Sequence, residues 1–157
     1  MNIQIPTYYV ETNYSNIQIN KTQAAEIALS HYGLTGEISV LDGELDFNFK
    51  LKCKTESYIL KISRPDVVQE SVDFQQQLLN HIAKNQKEIH SPRVLPDIKG
   101  NILSTTTDAD GNIRFVRLYS WIEGRIWSSV NPQNEGLLFS LGEKAGLLTQ
   151  AFQGFNH

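Results

Sequence analysis

The chain has 157 residues, 40% hydrophobic and 20% charged, which suits one soluble globular domain with a real core. Its 14 basic and 17 acidic residues leave a net charge of −3, and no concentrated basic stretch supports a general nucleic-acid or membrane-surface binder. The lone cysteine, Cys53, excludes an internal disulfide framework. No apolar run could span a bilayer and Met1 to Asn20 lacks a signal-peptide core, so the cytoplasm is the expected compartment.

Residues 1–19 are polar and aromatic without a clear period and read as an extended lead-in segment. Asn20 or Thr22 caps a predicted helix running to Tyr32, with Ala25, Ala28, Leu29 and Tyr32 at helical spacing and Gly33 as its left-handed stop. Glu37 to Leu41 is a first strand, Asp42-Gly43-Glu44-Leu45 a turn, and Asp46 to Cys53 a second strand. In the second, Phe47, Phe49, Leu51 and Cys53 alternate with Asn48, Lys50 and Lys52, the two-residue period of a sheet with one wet face. The third strand, Ser57 to Ser63, holds one residue out of place. Lys61 sits among Ile59, Leu60 and Ile62, where its ammonium must reach water or find an anion. Taken alone it reads as an edge-strand lysine that discourages aggregation.

A helix follows from about Asp66 to Lys84. At about 100° per residue, Val67, Ser71, Phe74, Leu78 and Ile82 form one stripe with Gln75 inside it, Glu70 at its rim and Asp73 facing away. Gly100 to Thr106 and Ile113 to Ser120 form a hairpin around the polar turn Asp108-Ala109-Asp110-Gly111-Asn112, whose spacing does not match a calcium loop. Arg125-Ile126-Trp127 reads as a short strand. Asn131-Pro132 opens a last helix in which Leu137, Leu138, Leu141, Ala145, Leu148, Ala151 and Phe152 recur at three- and four-residue spacing.

No P-loop or dinucleotide-binding glycine pattern occurs, and the turn between the first two strands, with Gly43 beside Glu44 and Asp46, is a poor phosphate cradle by itself. The four histidines have no ligand spacing, so no metal site is expected. No nucleophile elbow is present, nor a catalytic base followed by an asparagine, nor paired metal-binding aspartates. No catalytic residue is assigned in this chain.

An ordered series of segments does carry a resemblance: Tyr32-Gly33-Leu34-Thr35-Gly36, then Leu41 with Glu44 to Phe49, Tyr58 to Ile62, Phe115 to Gly124, and Leu141-Gly142 onward to His157. Together they resemble the small lobe of the aminoglycoside phosphotransferase and choline kinase-like superfamily, nearest to hydroxylysine kinase and the kinase-like domains fused to class III aminotransferases. Leu45 and Phe47 stand where that branch usually has Arg and Gln.

The resemblance implies an α+β fold: a five-stranded antiparallel sheet, an N-terminal helix, one helix packed on the sheet, and a C-terminal helix leading to a large lobe. By it, residues 20–124 are the nucleotide-binding small lobe, and residues 125–157 are a linker and the start of the large lobe. The catalytic loop and the magnesium ligands would follow His157. Lys61 would contact the α- and β-phosphates of ATP-Mg²⁺, and Asp46, Asn48 and Phe49 would lie above the nucleotide. The Ser120 carbonyl and Ile122 amide would meet the adenine edge, with Tyr119 as gatekeeper. Gln75 occupies the place of the lysine-pairing glutamate, and Glu70 is the fallback partner.

The function implied is ATP binding within a kinase for a hydroxylated amine or amino acid. The alternative is a noncatalytic binding or assembly module of a multidomain aminotransferase, which alone would bring in pyridoxal phosphate. Apolar surface left by an uncovered last helix is expected to favour dimers.

Overall fold

The computed structural model describes residues 18–43 and 45–157. Residues 1–17 of the predicted lead-in, and Glu44 in the first turn, lie outside it.

Helix α1 (Lys21–Tyr32) begins at a capping box: Asn20 accepts from the Gln23 backbone, and the Gln23 side chain accepts from the Asn20 backbone. It ends at Gly33, whose φ of 64° is the left-handed stop that a side chain would strain. Its buried face is Ala24, Ile27, Ala28 and Tyr32, not the predicted set: Ala25 is exposed, and Leu29 is 54% exposed. The two small alanines bring the helix close to the sheet, and the Tyr32 hydroxyl donates to the Val116 carbonyl at 3.4 Å.

Among the described residues the sheet is antiparallel throughout and has six strands, not five: β1 (Glu37–Leu41), β2 (Phe47–Lys52), β3 (Ser57–Ile62), β4 (Val94–Leu95), β5 (Ser104–Thr107) and β6 (Ile113–Ser120). The order is β1-β2-β3-β6-β4, with β5 also paired to β6. The added strand β4 has two residues between Pro92 and Pro96, too few for a period to show. Paired residues share a face, and the register separates two. Phe49, Leu51, Leu60, Ile62, Val116 and Leu118 pack under α1, each at most 2% exposed. Burying each large side chain there stabilises by about 1.5–3 kcal/mol. The opposite face carries Asn48, Ile59, Lys61, Arg117 and Tyr119.

Helix α2 (Gln69–Asn85) lies on that second face. It buries Val72, Gln76 and Ile82, so the predicted stripe is rotated and only Ile82 keeps its buried place. Gln76 is the buried glutamine, donating to the Ile102 carbonyl at 2.9 Å. Phe74 turns instead toward the C-terminal tail, 5.5 Å from the Phe155 ring and 5.3 Å from His157. The apolar residues of α2 therefore serve two neighbours, and a single-stripe reading cannot separate them.

Arg125-Ile126-Trp127 forms no strand; a 3₁₀ turn, Trp127–Ser129, stands there. Helix α3 (Glu135–Ala151) is capped by Asn134, which accepts from the Leu137 backbone at 2.9 Å. Of its residues only Ala151 is buried, while Phe139 is 76% exposed. Among the described residues, no helix is long and apolar enough to cross a membrane.

Candidate functional site

Lys61 lies directly across from Asn48 on one side and Arg117 on the other. Two cations facing each other across adjacent strands repel unless an anion is shared between them. Asp46, at the end of the β1–β2 turn, supplies it. Its Oδ2 is 3.1 Å from Lys61 Nζ and 3.2 Å from Arg117 Nη2. The turn holds this aspartate in place: its Oδ1 accepts the Arg64 N–H at 3.3 Å, and its main-chain carbonyl accepts from Asn48 Nδ2 at 3.1 Å. Gly43 permits the close fold, because a Cβ there would collide with the Asn48 amide and the Asp46 carbonyl.

Arg117 is 1% exposed. Its Nη1 donates to Gln75 Oε1 at 3.0 Å and to the Tyr119 hydroxyl at 3.4 Å. Burial pushes the Tyr119 hydroxyl above its ordinary pKa, and the Arg117 charge opposes that rise. Tyr119 therefore stays a neutral partner at physiological pH.

Several predicted residues meet here and others do not. Lys61, Asp46, Asn48, Gln75 and Tyr119 converge, but the lysine's partner is Asp46 and not Gln75, which bonds Arg117 instead. The reason is reach: a loop carboxylate sits against the ammonium, while the amide from α2 meets the guanidinium one strand further on. Glu70 is exposed and makes no hydrogen bond or ion pair among the described residues, so it is no partner to Lys61. Phe49 points away, 1% exposed in the core under α1, because its register with Leu60 places it on the other face. Ser120 and Ile122 line a separate concavity of about 610 Å³ beside the end of α2, where Ser120 Oγ accepts the Arg93 N–H at 2.9 Å. Next to them Trp121 lies under the Lys50 ammonium, 3.8 Å from the ring centroid.

Arg117 is the site residue that sequence reasoning overlooked. It was visible as one charge inside the run Phe115-Val116-Arg117-Leu118-Tyr119, the same signal that singled out Lys61. Arg64 also belongs to this neighbourhood.

Lys61 stands where two cavities meet. One, of about 480 Å³, is mainly apolar, with Leu41, Ile59, Leu78, Leu79 and Tyr119 in its wall. The other, of about 390 Å³, is lined among the described residues by three cations, Lys61, Arg64 and Arg117, and by one carboxylate, Asp46. Asn48, Lys61 and Gln75 line both. An apolar slot continuous with a cationic one suits a ligand with a flat base and an anionic tail. Among the described residues no group of three or more His, Cys, Asp or Glu side chains could hold a metal ion.

An antiparallel sheet with a lysine on its open face, one helix beneath and another above, is the small lobe of a kinase-like α+β fold. The model of the phosphotransferase enzyme family (APH) matches residues 37–157, and the chain belongs to that family. No curated protein matches. Among solved structures, the amicoumacin kinase hAmiN in complex with AMP-PNP, Ca²⁺ and Ami is similar at a TM-score of 0.71 and 16% identity, over 88% of this chain and 42% of that one. A microcompartment-associated aminopropanol kinase is similar at 0.68 and 18% identity, over 87% and 42%. The spectinomycin phosphotransferase APH(9)-Ia, in complex with ADP and spectinomycin, is similar at 0.52 and 15% identity, over 72% and 32%. This chain thus spans less than half the length of each.

Proposed function

We propose that this chain is the ATP-binding small lobe of a small-molecule kinase whose acceptor is a hydroxylated amine or amino acid. The observation that carries the reading is Lys61 at the junction of the apolar and cationic cavities. The base would lie against Leu41, Ile59 and Tyr119, and the phosphates would run past Lys61 toward Arg64. Lys61 would then supply charge-assisted hydrogen bonds that hold the phosphates in one orientation. The structural neighbours support the acceptor class, since one is a kinase for aminopropanol. In this reading residues 20–124 form the nucleotide lobe and 125–157 lead toward the acceptor-binding part. Bound Mg²⁺ would neutralise phosphate charge; among the described residues Asp46 is the carboxylate lining the cationic cavity and Asp42 lines the apolar one, and further carboxylate ligands would come from outside this site.

A second reading is a kinase-like module without phosphoryl transfer, serving binding or assembly within an aminotransferase that uses pyridoxal phosphate. It is favoured by one feature: α2 offers Lys61 no acid, only Gln75, and that residue turns to Arg117.

Calorimetric titration with ATP-Mg²⁺ tests the first reading. Lys61→Ala is expected to weaken binding at least about tenfold, the loss of a charge-assisted bond of about 1.5–3 kcal/mol. A folded protein that binds no ATP, or a variant that binds it equally well, would favour the second reading.

A further inference from the structure

The shared carboxylate raises a question of occupancy. Lys61 is 30% exposed at the cavity rim, yet its ammonium is already paired with Asp46, and among the described residues it has no other polar partner. Any anion arriving at Lys61 must compete with that carboxylate.

We propose that Asp46 is an internal counter-anion that occupies Lys61 until an anionic ligand displaces it. Arg117 is the positioning residue that keeps the carboxylate when the lysine turns to the ligand. The proposal rests on the reading of this site as a nucleotide-phosphate site.

Three features support it. First, one oxygen, Oδ2, serves both cations, so losing Lys61 leaves Asp46 paired and not stranded. Second, its remaining partners stay in place without a ligand: the Arg64 N–H is backbone, and Arg117 is 1% exposed and pinned by Gln75 and Tyr119. Lys61 is the one mobile member of the group, because an ammonium on a flexible stem changes partners more readily than a buried fork. Third, the fork explains why a charge is buried at Arg117 at all. A buried ion pair adds little stability over apolar packing, and this one opens on a cavity through Lys61, so its retention fits a task at the site. The exchange makes and breaks no covalent bond. A phosphate oxygen replaces Oδ2 at Lys61, and Oδ2 stays on the guanidinium.

A double-mutant cycle tests the idea with ATP-Mg²⁺, ADP and inorganic tripolyphosphate as titrants and adenosine as the base-only control. Asp46→Asn, which removes the competitor, is expected to tighten tripolyphosphate binding roughly fivefold to tenfold while adenosine changes less than about twofold. Arg117→Met in the native background leaves the carboxylate to Lys61 alone and weakens phosphate binding by about as much; in the Asp46→Asn background it costs less than about twofold. A purely structural arginine, or one that attracts phosphate directly, costs the same in both backgrounds, and that outcome overturns the proposal. If Arg117→Met fails to fold, Gln75→Leu replaces it, with a smaller effect that again disappears beside Asp46→Asn.

Acylation of Lys61 by an N-hydroxysuccinimide ester, followed by mass spectrometry, separates this proposal from the nucleotide reading. Asp46→Asn should raise the Lys61 labelling rate severalfold even if no nucleotide binds. Absence of ATP and tripolyphosphate binding with faster labelling removes the nucleotide reading and keeps the counter-anion. Unchanged labelling removes the counter-anion.

Discussion

Two buried arginines three residues apart on β6 meet opposite fates. Arg114 and Arg117 are each 1% exposed, and each leaves one buried nitrogen without a partner. Their parity differs, so they point to opposite faces of the sheet. Arg114 has a carboxylate to itself: its Nε is 2.7 Å from Asp108 Oδ2, the Asp108 side chain is 3% exposed, and Arg114 Nη1 donates to the Ser63 carbonyl at 3.1 Å. That carboxylate closes the polar β5–β6 turn, accepting the N–H groups of Asp110 and Asn112 at 3.0 and 2.9 Å. Arg117 shares its carboxylate with a lysine that reaches the surface. One cation per carboxylate makes a closed structural pair. Two cations per carboxylate leave a surplus of positive charge, and a surplus beside a cavity invites an anion.

The comparison is broken most forcefully at the private pair. Asp108→Ala strands Arg114 in the interior and is expected to cost about 3–5 kcal/mol in urea unfolding. Removing Lys61, by contrast, should leave stability within about 1 kcal/mol, since a partly exposed ion pair contributes little; an unfolding curve that shifts as far as that of Asp108→Ala would erase the distinction.

Acid sharpens the same contrast. Burial pushes the Asp108 carboxyl up, but hydrogen bonds from the Asn112 backbone, Arg114 and the Asn112 side chain outweigh it and hold the group down at about 2. Asp97 is likewise raised by burial but held at about 2 by hydrogen bonds from Asn101, Ser104 and Lys99. Both lie below the ordinary value of 3.8, so the stability they confer is complete above that pH and is lost as pH falls toward 2. Thermal melts between pH 5 and 2 should therefore show a falling Tm with a shallower slope in Asp97→Asn. An equal slope would mean that other carboxylates govern acid unfolding.

A smaller effect is expected at the start of α1, where Asn20→Ala removes one arm of the capping box and should cost about 1 kcal/mol. Least of all, Glu70→Ala should leave both ATP affinity and stability unchanged within about 0.5 kcal/mol, because no described residue pairs with that side chain. A measurable loss of affinity there would restore it as a partner of Lys61.

Local pattern made much of this protein legible. Two-residue alternation placed β2, the β-branched and aromatic content of Tyr58 to Ile62 placed the strand of Lys61, and glycine after an alanine-rich helical run marked the end of α1. The isolated lysine among apolar neighbours stood out, because a charge in a strand interior needs a reason, but alone it read as an edge-strand lysine and became a site candidate only through the ordered segments. The ordered segments also led to the family and to the fold. Strand β4 was hidden by its brevity, and the rotation of α2 by having two neighbours to satisfy.

What tertiary structure alone decided was partnership. Asp46, Lys61, Gln75 and Arg117 are separated by up to 71 residues, and neither period nor propensity states which carboxylate oxygen two cations will share. Spacing along the chain set which face each side chain takes, whereas the register of β2 on β3 and of β3 on β6 brought Asn48, Lys61 and Arg117 into one row. That register arises from the burial of Phe49, Leu51, Leu60, Ile62, Val116 and Leu118 together under α1, a cooperative choice that no single segment makes. The charged row on the other face follows from it, and with it the identity of the lysine's partner.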